Sequence, residues 1–104
     1  MEPRTIKSED IEKYVKSTHY INAGYAVAAK EGAAPDALRL LTIAVVVLKN
    51  GFTVTGESAC ADPEKYNQEI GEKIARANAL QKVWPLMGYV LRSQLAGMSG
   101  LIED

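Results

Sequence analysis

His19 is the single histidine and Cys60 the single cysteine of this chain. Together they are the one nucleophile and base pair from which a hydrolase could be built. No familiar spacing links them, and Cys60 falls in an apolar strand pattern where a small buried residue is expected. A histidine at a helix end is the plainer role of His19, and a zinc site would need ligands beyond these two. No metal site and no cofactor is therefore expected. Binding chemistry has more material. Arg76 and Arg92, with Lys49, Lys73 and Lys82, could meet phosphate, although solvated helix faces are their ordinary use. Tyr20 and Tyr25 could stack on a base. Tyr66 and Trp84 are assigned by helical spacing to the core. Ser58 and Asn78 add hydrogen-bonding groups. The stretch Gly56 to Pro63 leads a strand into a helix, where free backbone amides suit an anion. It lacks the P-loop pattern, and Asp62 and Glu64 already bring negative charge there. Close packing of small residues is its plainer reading.

Bulk properties narrow the classes. The chain has 104 residues and 47% apolar content, which suits one domain with a modest core. A formal charge of −1 argues against general nucleic-acid binding. One cysteine excludes an intrachain disulfide framework. The longest apolar run, Leu40 to Leu48, is too short to span a membrane, and MEPRTIKSED carries no apolar signal core. The expectation is a cytoplasmic protein with no membrane contact.

The positioning elements can be read in turn. Flexible tails are expected at about residues 1–7 and 97–104. Ser8 can cap a first helix, about Glu9 to Ser17, because Ile11, Tyr14, Val15 and Thr18 share a helical face. A short second helix from Tyr25 to Lys30 should end at Gly32. Asp62-Pro63-Glu64 opens a long helix to about Val83, with Tyr66, Ile70, Ile74, Ala77, Leu80 and Trp84 as its apolar stripe. Gly71, Ala75 and Asn78 form a second strip of small residues, which permits close approach of a neighbour. Pro85 breaks or kinks the helix at Trp84, and Leu86 to Leu95 resumes an amphipathic pattern.

The stretch Leu40 to Ala61 organises the rest. Two β-branched runs flank Asn50-Gly51, which suits a two-residue type I′ hairpin turn. That turn pairs Lys49 with Phe52, Val47 with Val54, Val45 with Gly56 and Ile43 with Ser58. Leu41, Ile43, Val45 and Val47 then share a face with Phe52, Val54 and Cys60, which the long helix should cover. Leu40, Thr42, Ala44, Val46 and Leu48 occupy the other face, with Thr53, Thr55, Glu57 and Ala59. No third strand is evident. The fold class is thus α+β: an antiparallel β-hairpin packed on a long C-terminal helix, with shorter N- and C-terminal helices. A ribbon apolar on both faces needs a neighbour, and another copy in a homo-oligomer is the favoured one.

The strings NGFTVTGESACADP and EIGEKIARANALQKVWPLMGYVLR resemble the signature of a family of small tailed-phage proteins, the phage gene-49/gene-66 family. The likeness spans about Ile11 to Leu95, with Met87 as a minor departure before Gly88-Tyr89. It implies a phage protein acting in the host bacterial cytoplasm and supplies no catalytic residues. By analogy with other small phage proteins, the expected function is non-enzymatic antagonism of host antiviral defence. A nucleotide-derived immune signal would be sequestered in intersubunit pockets, with Tyr20, Tyr25, Ser58, Arg76, Asn78 and Arg92 as ligand-binding residues. The alternative is a protein-interaction module that inhibits a host protein.

Overall fold

The computed structural model describes residues 6–97, so the expected tails lie almost wholly outside the described residues. The α+β class holds. The elements are α1 (Ser8–Tyr14), β1 (Val15–Asn22), α2 (Ala23–Glu31), β2 (Leu41–Leu48), β3 (Thr53–Ala59), α3 (Gln68–Gln81) and α4 (Val83–Leu95). Single 3₁₀ turns at Asp36–Leu40 and Pro63–Lys65 lead into β2 and towards α3.

The sheet has three antiparallel strands in the order β1-β2-β3, so the hairpin does have a third strand. Helical spacing is misleading at Val15 and Thr18. The segment VKSTHYIN carries the β-branched and aromatic residues that favour a strand, and α1 stops at Tyr14. Lys16 is the extra residue of a bulge, since Val15 pairs with Leu48 and Ser17 with Val47. The helix cap also moves: Lys7 stands at the N-cap, and its backbone amide donates to the Asp10 carboxylate at 2.8 Å.

The turn at Asn50-Gly51 is present, but its register differs by one residue from the type I′ expectation. Val46 pairs with Val54, Val45 with Thr55 and Ala44 with Gly56. Asn50 keeps a negative φ, and Gly51 alone is left-handed, at φ +90°. Gly51 N–H donates to Leu48 O at 2.9 Å, and Leu48 N–H donates to Phe52 O at 2.8 Å. This is a three-residue loop, a β-turn followed by a left-handed glycine, which accepts the same Asn-Gly pair. A one-residue slip exchanges the faces. Thr42, Ala44, Val46 and Leu48 are therefore the buried side of β2, and Leu41, Ile43, Val45 and Val47 are the outer side.

The helix face that meets the sheet is also the opposite of the one expected. Gly71, Ala75 and Ala79 lie on the strands, whereas Ile70 and Ile74 remain 56% and 47% exposed. Small residues win because the approach is so close. A Cβ at Gly56 would stand 2.2 Å from Ala79 N and 2.3 Å from Ala75 O. Asn67, not Asp62, caps α3, accepting from Ile70 N–H at 3.1 Å. Asp62 caps only the preceding 3₁₀ turn. The break between α3 and α4 falls at Lys82, because Pro85 offers no amide to the Gln81 carbonyl and its ring crowds that group. Ile11, Val46, Leu48, Val54, Ala79 and Val83 form the core, flanked by Val15, Leu80, Trp84 and Met87.

Candidate functional site

The residues expected to bind ligand do not converge. Arg76 is already engaged: Nη1 and Nη2 donate to the two Glu12 carboxylate oxygens, each at 2.8 Å, and Nε donates to Thr18 Oγ1 at 3.3 Å. The hydrogen bonds from Arg76 hold the Glu12 carboxyl below its usual range, opposed by slight burial. Those same bonds raise Arg76, with a smaller contribution from nearby Tyr20. Asn78 Nδ2 donates to the Glu57 carbonyl at 2.8 Å, so it fastens α3 to β3. Tyr25 is exposed on α2, with the Arg39 guanidinium 5.6 Å from its ring centroid. Arg92 is exposed on α4.

Ser58 lines a cleft of about 140 Å³ where β3 meets the start of α3, together with Cys60, Lys65, Tyr66, Asn67 and the apolar Ile70 and Ile74. Its volume is under half of what a drug-sized ligand fills. Cys60 Sγ donates to Asp62 O at 3.2 Å in this region. His19 lies elsewhere, level with Val45 on β1, with Nε2 at 3.0 Å from Ser17 Oγ. Cys60 is level with Leu40, five positions away along β2. At ~3.4 Å per residue that is about 17 Å along the strand, too far for proton transfer between the two.

Behind the cleft, Asn22 joins three elements. Its Oδ1 accepts from Gly24 and Tyr25 N–H to cap α2, and its Nδ2 donates to Arg39 O at 2.9 Å and Tyr66 OH at 3.1 Å. Tyr66 OH in turn donates to Gln68 Oε1, and Gln68 Nε2 donates to Glu72. The Thr42 hydroxyl, fully buried beside Gly71, has no partner. These contacts build the sheet-to-helix seam, which is a structural duty.

A larger recess of about 270 Å³ lies elsewhere, between α1, the hairpin loop and α4, lined by Asp10, Lys13, Tyr14, Lys49 and Met87. Pairing of β1 with β2 creates it, because Lys49 N–H donates to Tyr14 O at 2.8 Å and brings the loop against the end of α1. Two lysines and one carboxylate, Asp10, share its wall with Tyr14, which is 41% exposed, and the apolar Met87. Such a set can pair with phosphate and stack on a planar base. Sequence reasoning names only Lys49 here, among general cations. Tyr14 and Lys13 escape it because their proximity to Lys49 depends on a strand whose first residues also fit a helical face.

Among the described residues, no three His, Cys, Asp or Glu side chains form a metal-binding group, and no helix is long and apolar enough to cross a membrane. The model of a family described as the phage protein (N4 Gp49/phage Sf6 gene 66) family matches residues 6–95 of the chain. No curated protein and no solved structure matches the chain.

Proposed function

Because the chain belongs to the N4 Gp49/phage Sf6 gene 66 family of phage proteins, we propose that it is a non-enzymatic phage accessory protein that counters host antiviral defence. Its most concrete action is to bind and hold a nucleotide-derived immune signal. The observation that carries this reading is the recess of Asp10, Lys13, Tyr14, Lys49 and Met87, in which two lysines outnumber one carboxylate and an exposed tyrosine shares the wall. At about 270 Å³ it is slightly small for a whole ligand, so a neighbouring copy would supply the remaining wall. Of the residues expected from the sequence to bind, Arg76 and Asn78 are withdrawn to structural roles by their partners. Ser58 stays as a wall of the smaller cleft, and Tyr20, Tyr25 and Arg92 as exposed groups available at a subunit boundary.

The test is a thermal-shift panel of cyclic di- and trinucleotides and ADP-ribose derivatives on the purified protein. A ligand at a hundred times its Kd adds about 2.7 kcal/mol, which raises Tm by roughly 10–20 °C in a domain of this size. Lys13→Glu with Lys49→Glu should abolish the shift, and heating should return the ligand intact. A flat panel removes the reading, and a chemically altered ligand makes the protein an enzyme instead. Inhibition of a host protein is the second reading, motivated by the uncovered apolar sheet face. A stoichiometric partner recovered from host lysate would favour it.

A further inference from the structure

The molecule is 19 Å through its thinnest dimension, which is one sheet and one helix layer. α3 takes one side of the sheet. On the other side Leu41, Ile43, Val45 and Val47 run consecutively along the central strand, each only half-buried, and Ile21 beside them is 39% exposed. Central strands normally bury such residues, and soluble monomers seldom leave an aliphatic stripe of this length open.

We propose that this face is the seat of a second copy of the same chain, packed sheet to sheet about a two-fold axis running along β2. The face is its own complement under that operation. His19 and Ser17 stand on the β1 side, and Thr53, Thr55 and Glu57 on the β3 side, with the aliphatic stripe between them. Rotation about β2 lays stripe on stripe and β1 over β3. His19, level with Thr55, then falls one alternate position from the carboxylate of Glu57 in the other copy. An isologous contact of this kind closes as a dimer and leaves no further stripe to propagate. Three strands ~4.8 Å apart and about seven residues at ~3.4 Å give a flat patch of roughly 340 Å² per copy, about 700 Å² for the two, so the contact belongs with small, weak interfaces and fills at micromolar concentrations of chain. The inference shares with the proposed function the premise that copies associate, and is independent of any ligand.

Light scattering at tens of micromolar on the full chain reads the outcome. The wild type should run as a dimer or an even multiple. Val45→Glu, on the outer side of β2, should halve that mass while keeping the far-UV circular dichroism of the fold. Should Val45→Glu not fold, Val45→Cys in a Cys60→Ala background supplies a second measurement: a short bis-maleimide should join two chains in high yield. Ile74→Glu, on the far side of α3, should leave at least a dimer. A single-chain wild type, an unchanged mass for Val45→Glu, or single chains from Ile74→Glu alone overturns the inference. So does a host protein that binds the single-chain wild type and no longer binds Val45→Glu. A flat ligand panel with a Val45-dependent dimer intact refutes the proposed function and leaves the sheet-to-sheet dimer standing.

Discussion

Gly56 is the position at which the fold is least forgiving, and substituting alanine there tests the close seating of α3 on the sheet. A Cβ at residue 56 would stand 2.2 Å from Ala79 N, 2.3 Å from Ala75 O and 2.8 Å from Asn78 C, all backbone atoms that no rotamer can move. Ordinary contact begins at 3.4 Å, so the helix must retreat by about 1.2 Å. That displacement loosens Ala75 and Ala79 from Thr42, Val46 and Val54 together, since both lie on one continuous helix of 14 residues. Overpacking at one core site costs about 1–3 kcal/mol, and separation of a whole helix face adds to it, giving about 3 kcal/mol or more. In a domain with only 5–15 kcal/mol to lose, Tm should fall by roughly 12–24 °C, or the protein should fail to fold. Thermal denaturation followed by circular dichroism is the assay. Gly88→Ala is the matched control: nothing lies within 4 Å of its added Cβ, and its place inside α4 should gain roughly 0.5–1 kcal/mol. A Gly56→Ala protein that melts within about 3 °C of wild type would refute the argument for the seat.

Three further substitutions probe the seam and the ion pair. Thr42→Val removes a buried hydroxyl that has no partner and keeps the side chain's branched shape, so urea denaturation should show a gain of about 1–2 kcal/mol. Asn22→Ala strips the cap from α2 along with the bonds to Arg39 and Tyr66, and the same assay should report a loss of about 2–3 kcal/mol. Glu12 has its carboxyl pKa lowered by the hydrogen bonds from Arg76, so its stabilising contribution is complete above the ordinary carboxylate value near 4.5 and fades as pH falls through the lowered value. Glu12→Gln should therefore cost under about 1 kcal/mol at pH 7, since the side chain is half in solvent, and the difference from wild type should vanish in acid. A Glu12→Gln penalty that persists unchanged at low pH would contradict that assignment.

How the sequence can disclose the hairpin and yet misplace its faces follows from Asn50-Gly51. Both a two-residue loop and a three-residue loop accept that dipeptide, and they differ by one step in register. Since alternate side chains point to opposite sides, that one step moves Val46 and Leu48 into the core and Val45 and Val47 out of it. The helix face misleads for a related reason. Its large residues, Ile70 and Ile74, give the stronger apolar signal, but only Gly71, Ala75 and Ala79 are small enough for the observed approach. The small-residue strip is visible in the sequence; which neighbour it serves is not. β1 is hidden because Ile11, Tyr14, Val15 and Thr18 fit a helix up to the point where α1 ends. With β1 goes the recess, since Tyr14 and Lys49 are 35 positions apart and meet only through strand pairing. Gly32 at φ +89° closing α2 and the interruption before Pro85 need no tertiary information, and both are legible.

The notch at Gly56 has a mechanical corollary. A helix whose main chain rests in a one-residue gap can neither slide along the strands nor roll across them without driving Ala75 and Ala79 into the β3 backbone. α3 and the sheet therefore behave as a single plate. The compliant point is Lys82, where the Pro85 ring has removed a rung from the helical ladder, while Val83, Trp84 and Met87 tie the first turns of α4 to the core. Any adjustment of the recess around Met87 is then an angular movement of α4 against a fixed plate.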